Sequence, residues 1–229
     1  MRFLALLKKE LREALPWIIL AAFILAFCGT LYIASNMHRF RDFNISSPRS
    51  TIRMDYFGKE LTLRDIGSLL VYTSCGLGLV LAVRQFLVPA FQKTWAFTIH
   101  RSISRIAILL AKFSVAIIAL ALSCGIIWTL FYWYATKPGM NPVPPRQRIF
   151  GEGWILITLG LVVYFGAVLS ALSTARWVST KMFGLAFATV GTFLLLTLRA
   201  SLTLCLVTII ISLVILVSQI IHTFLNREF

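Results

Sequence analysis

The residues WILITLGLVVYFGAVLSAL, positions 154–172, contain no charged side chain. The hydrocarbon core of a bilayer is roughly 30 Å thick and is crossed by about 20 apolar residues in an α-helix. This stretch meets that requirement by itself. Its apolar residues run continuously instead of alternating with polar ones, which points to a helix and away from a strand of a membrane barrel. Five more such stretches lie near residues 17–34, 66–88, 113–134, 182–198 and 202–221. The whole chain is 59% hydrophobic, only 13% charged and has a mean hydropathy of +0.88, which excludes an ordinary soluble domain. The sequence therefore predicts an all-α integral membrane protein, with residues 1–229 forming a single transmembrane domain of six helices.

None of the eight acidic residues falls within those six spans. A carboxylate inside a bilayer is costly and is kept there for work such as carrying protons or binding cations. Its absence from the spans counts against an ion-coupled carrier. Lys and Arg placement gives the orientation. With the N-terminus inside, the inner segments hold 12 basic residues and the outer ones 10. The four basic residues preceding the first span weigh most, so both termini are expected in the cytoplasm of a multi-pass cell-membrane protein, of the bacterial inner-membrane kind. The net charge of +14 suits contact with anionic lipid. Its scatter over both faces does not suit nucleic acid.

Residues 1–15 place Phe3, Leu4, Leu7, Leu11, Ala14 and Leu15 on one helical face and Arg2, Lys9, Arg12 and Glu13 on the other, the pattern of an amphipathic interfacial helix. Pro16 predicts a bend before the first span. The run is too long for a cleaved signal and lacks a small-residue cleavage site, so the first span is read as retained. In the outer loop 35–65, Ile52, Met54 and Tyr56, then Leu61 and Leu63, alternate with polar residues around Gly58 and predict a small hairpin. The second outer loop, 135–153, carries four prolines and reads as a stiff spacer. Arg199 is expected to mark a tight outer turn between the last two spans.

Between spans two and three, Pro89 predicts the end of a helix. Residues 91–105 then read FQKTWAFTIHRSISR, with bulky Trp95, Phe97 and Ile99 set among Lys93, His100, Arg101 and Arg105. Such a mixture fits either a basic interfacial loop or a helix that presents aromatic anchors to another protein. Arg84 and Lys112 lie near the inner ends of their spans and are expected to reach lipid headgroups. Gly76 and Gly78, Gly160 and Gly166, and Gly184 and Gly191 are candidate points of close helix approach. Trp128, Tyr132, Trp133, Tyr134 and Trp154 are expected to form an interfacial aromatic belt.

Two segments resemble a known family. KTWAFTIHRSISRIAILLAK, residues 93–112, is similar to the segment of type-2, exporter-like ABC transporter permeases that reads approximately GTWxFLLxxPVSRxxILLAK, and FLALLKKELREALPW, residues 3–17, is similar to their amphipathic N-terminal helix. Together they cover 35 of 229 residues. The resemblance implies that residues 91–105 hold a coupling helix seated on a cytoplasmic ATPase. In that role Thr94, Trp95, Phe97, Ile99, His100, Arg101, Ser104 and Arg105 form the contact, with Ser102 or Ser104 capping the next helix. It further implies two ATPase subunits that carry ATP and Mg, a second permease copy or homologue, and export of a hydrophobic or amphipathic substrate. The chain departs from the family where Pro89, Ala90, Phe91 and Gln92 replace an acidic position, and where Ser102 replaces a proline.

No GxxxxGK[ST], H-E-x-x-H, G-x-S-x-G or paired carboxylate occurs, and Cys28, Cys75, Cys124 and Cys205 show no C-x-x-C spacing. No catalytic, cofactor-binding or metal-binding residues are therefore assigned, and the chain is not expected to be an enzyme by itself. The alternatives to a permease subunit are a non-transporting membrane anchor or assembly subunit, and an ion-coupled carrier.

Overall fold

The computed structural model describes residues 2–43, 51–92, 104–137, 147–173, 182–198 and 202–225. All regular structure among them is helical. Helix α1 is Arg2–Phe43. Helix α2, Thr51–Ala82, continues through a π-helical turn, Val83–Leu87, into the short α3, Val88–Phe91. Helix α4, Arg105–Leu120, passes through a second π turn, Ala121–Gly125, into α5, Ile126–Thr136. Helices α6, Gln147–Leu172, α7, Phe183–Leu198, and α8, Leu202–Leu225, complete the chain.

Among the described residues, five helical stretches are long and apolar enough to cross a membrane: Phe3–Ala34, Ile66–Phe91, Arg105–Thr136, Gln147–Leu172 and Leu202–Leu225. The chain is a multi-pass helical membrane protein. The expected span at 182–198 is the short one. Helix α7 has 16 residues, and at about 1.5 Å per residue it falls short of a core roughly 30 Å thick.

Two local expectations fail for physical reasons. No break occurs at Pro16, because α1 runs straight through it. Pro inside a helix costs about 3 kcal/mol. Yet Glu10, Ala14, Ala21 and Leu25 are all buried on one stripe that spans the proline, and breaking the helix would put the two halves of that stripe out of line. The hairpin around Gly58 is also absent, since α1 extends to Phe43 and α2 already begins at Thr51. An isolated two-stranded hairpin is marginal, whereas a helix satisfies its own backbone and absorbs one glycine for about 1 kcal/mol. Arg199 and the four prolines Pro138, Pro142, Pro144 and Pro145 lie outside the described residues.

Helix α6 is the hub. It packs on α2, α7 and α8, and buries Ile157, Leu159, Val162, Tyr164, Phe165, Val168 and Leu172. Glycines set how close its neighbours come. A Cβ on Gly160 would lie 2.6 Å from the Ser74 carbonyl oxygen, and one on Gly78 would collide with the Gly160 carbonyl. The Ser74 hydroxyl donates across the same crossing to the Leu156 carbonyl at 3.2 Å. Further along, Gly166 and Gly184 face each other, each Cβ position 2.6 to 2.7 Å from the other's carbonyl. The Ser170 hydroxyl there accepts the Leu185 N–H at 2.9 Å and so satisfies one of the unpaired donors in the first turn of α7. Gly76 and Gly191 face open space and take no part in helix packing.

The aromatic belt is divided. Trp133, Tyr134 and Trp154 are exposed, but Trp128 is fully buried against Gly153, and its indole N–H donates to the Phe150 carbonyl at 3.2 Å. Trp128 belongs to the core because the gap above Gly153 is the shape its ring fills.

The glycine contrast is testable. Gly160→Val is expected to destabilise the detergent-solubilised protein by about 1–3 kcal/mol through overpacking. Gly76→Ala is expected to be neutral or to stabilise by up to about 1 kcal/mol, since only helix propensity changes. Thermal unfolding midpoints of the two variants distinguish the sites.

Candidate functional site

At the end of the bundle from which residues 93–103 depart, four polar side chains from four helices meet in an otherwise apolar interior. The site starts from a backbone defect. Pro89 has no N–H, so in a regular helix the carbonyl four residues earlier, that of Gln85, would lose its donor. The chain widens into a π turn at this place, with the Val88 N–H bonding back to the Val83 carbonyl. Lys112, two turns into α4, donates its ammonium to the Gln85 carbonyl at 3.1 Å. The same ammonium donates to Glu10 Oε1 of α1 at 2.8 Å and lies 5.5 Å from the centre of the Phe86 ring. Tyr164 of α6 donates its hydroxyl to Gln85 Oε1 at 2.6 Å and lies 3.4 Å from the Lys112 carbonyl.

Burial makes this cluster consequential. Glu10, Gln85, Lys112 and Tyr164 are 8%, 5%, 5% and 0% exposed. A charge held in such surroundings needs a partner, and removing one member of a buried pair leaves the other uncompensated. The pairing is complete on the lysine side. It is incomplete at Gln85, whose buried amide nitrogen has no hydrogen-bond partner among the described residues; the Trp17 indole nitrogen is in the same position.

Lys112, expected at the lipid headgroups from its distance to the end of its span, instead points into the bundle and meets a carboxylate. Arg84, one residue before Gln85, is exposed on the outer side of the π turn. Glu10 is the residue that sequence reasoning missed: it lies outside the six expected spans, yet it is buried in the bundle against Lys112. A signal was present: Glu10 continues the spacing Phe3, Leu7, Ala14, Trp17 and Ala21, and so lies on the apolar stripe rather than on the charged face.

Of the expected coupling residues, Thr94, Trp95, Phe97, Ile99, His100 and Arg101 lie outside the described residues. Ser104 and Arg105 are placed. Ser104 is the N-cap of α4, its hydroxyl accepting the Ala107 N–H at 3.3 Å. Arg105 Nη1 lies 3.4 Å from the Leu225 carbonyl, where a cation complements the carbonyl-rich end of α8. The connector's far root thus adjoins both terminal helices: Glu10 of α1 reaches Lys112, and the Leu225 carbonyl of α8 accepts from Arg105.

Among the described residues, no three His, Cys, Asp or Glu side chains gather in a way that would hold a metal ion. The arrangement fastens helices and holds charge in a dry interior. Comparison with known protein families, with characterised proteins and with solved structures finds no match to this chain.

Two mutational outcomes follow from the geometry. Lys112→Met is expected to cost about 3–5 kcal/mol by stranding Glu10, whereas Glu10→Met combined with Lys112→Met is expected to cost only about 1–3 kcal/mol, for the Gln85 carbonyl left unpaired. Unfolding of the two single variants and the double variant measures that non-additivity. Tyr164→Phe, which leaves the Gln85 amide oxygen unpaired, is expected to cost about 1–3 kcal/mol by the same measurement.

Proposed function

We propose that this chain is the transmembrane permease subunit of an ATP-driven transporter of the type-2, exporter-like ABC class, with ATP hydrolysed on a separate subunit. The observation that carries the reading is the similarity of residues 93–112 and 3–17 to the two cytoplasmic-side segments of that family. The placement of Ser104 and Arg105 is compatible with it, since a connector whose far root is capped and rests against the last helix can pass a push into the bundle. On this reading α7 counts as a sixth, shorter span, and the termini and connector are cytoplasmic. Trp95, Phe97 and Ile99 are then the anchors in the ATPase cleft, with His100, Arg101 and Arg105 its basic partners. Two ATPase copies with ATP and Mg act on a pair of permease copies, and the cargo is a hydrophobic or amphipathic molecule moved outward.

A second reading draws support from the buried Glu10. An acid paired with a lysine inside a helical bundle is the kind of group that ion-coupled carriers use, so the argument from absent acids no longer stands against that class. The two readings differ in their energy source.

Trp95→Ala with Arg101→Glu is expected to abolish co-purification of the ATPase, or to cut transport-stimulated ATP turnover by about tenfold or more. Unchanged assembly and unchanged turnover would overturn the permease reading. Transport that persists after an uncoupler collapses the proton gradient would weigh against the carrier.

A further inference from the structure

We propose that the outward face of α1 holds an anionic phospholipid, with Lys8 and Arg12 on its phosphate and Leu15, Ile19 and Phe23 along an acyl chain. The inference names no transport class and holds for either orientation of the bundle.

It starts from the cations. Lys9 meets Glu13, Lys112 meets Glu10, Arg148 meets Glu152, Lys137 lies over the Trp133 ring and Arg105 bonds the Leu225 carbonyl. Lys8 and Arg12 are exposed and meet no carboxylate among the described residues. They stand one turn apart on the same helix face, a spacing at which like charges repel. An anion lying between them turns that repulsion into attraction.

Their depth suits a lipid phosphate. From Ala14 onward α1 carries no charged side chain until His38, so the hydrocarbon core begins near Ala14. At 1.5 Å per residue, Arg12 and Lys8 come about 3 Å and 9 Å before that point, and the headgroup layer is about 5–8 Å deep. The two cations bracket that layer. Their outward aim is fixed from the other side of the helix, where Leu7, Leu11 and Ala14 pack on the core and Glu10 is buried.

The same face continues into the hydrocarbon. Leu15, Ile19 and Phe23 follow Arg12 at spacings of three and four, and all three are exposed. A phosphate held by the cations lays its chain along them. An acidic protein can meet the cations but cannot use the apolar residues inside the bilayer, so a lipid is the occupant that fits the whole face. Pro16 adds a preference among lipids. It has no N–H, so the Arg12 carbonyl lacks its helical donor at the headgroup level, and a hydroxyl of a glycerol headgroup can supply one.

The test measures, by native mass spectrometry, the dissociation constant of the first phosphatidylglycerol bound to the full chain in detergent. Lys8→Gln with Arg12→Gln is compared with Lys9→Gln with Arg148→Gln, which removes the same charge from exposed cations that have partners. The first pair is expected to weaken binding about tenfold or more and the second by less than about twofold. The exchange Lys8→Arg with Arg12→Lys is expected to keep the parent affinity. Glycerol 3-phosphate, a headgroup without chains, is expected not to displace the lipid at equal concentration. The site is overturned if the first pair binds as the parent does, or if both pairs weaken binding equally, since the lipid then reads net charge alone. Displacement by glycerol 3-phosphate overturns it as well, because the chain would then contribute nothing. A first pair that keeps its lipid but loses a co-purified soluble subunit assigns the face to that partner instead.

Discussion

A proline that cannot donate leaves the Gln85 carbonyl in need of a partner, and a lysine supplies it. Much of the connector end of this protein is arranged around that substitution. The ammonium has been brought into an apolar interior, so it needs an anion, and Glu10 is drawn off the membrane surface to provide one. Gln85 turns its side-chain oxygen to Tyr164, which ties α6 into the same knot. Four helices that lipid would otherwise leave free to slide are registered against one another by three hydrogen bonds. Helix association in a bilayer lacks the hydrophobic drive available in water, and polar contacts and close packing have to supply it.

Close packing is concentrated elsewhere, along α6. At two of its crossings a carbonyl oxygen lies where a side chain would otherwise be, and a serine hydroxyl accompanies each: Ser74 at the Gly160 crossing and Ser170 at the Gly166 crossing. By contrast α1 and α8 show most of their surface. Their apolar windows are 17% and 22% buried, where that of α6 is 61% buried, so the outer faces of α1 and α8 are the ones that suit lipid contact. The bundle thus has a tightly notched spine and two loosely seated flanks.

Helical class, membrane residence and most helix positions were legible in the sequence because they follow from long apolar runs, and nothing in the tertiary structure competes with such a run in lipid. The glycine notches at Gly78, Gly160, Gly166 and Gly184 were legible as candidates, but sequence did not separate them from Gly76 and Gly191. That separation depends on helix rotation, which only packing fixes. Pro16 misled because a local rule was applied where a stripe on both sides of the proline outweighs it. Lys112 misled for a related reason: it was read from its distance to a span's end, whereas its fate was set by which way the helix faced, and Glu10 was counted only as an acid outside the spans. Partners 102 residues apart in the chain leave no local mark.

The central position of α6 has a bearing on how the protein is made. Helices α7 and α8 leave the ribosome after α6, and the main surface that receives both of them is α6. The latecomers have one berth, and it must already stand upright and notched when they arrive. Biogenesis should therefore hinge on the fourth crossing, with the helices that follow it waiting upon it and the earlier helices able to assemble beforehand.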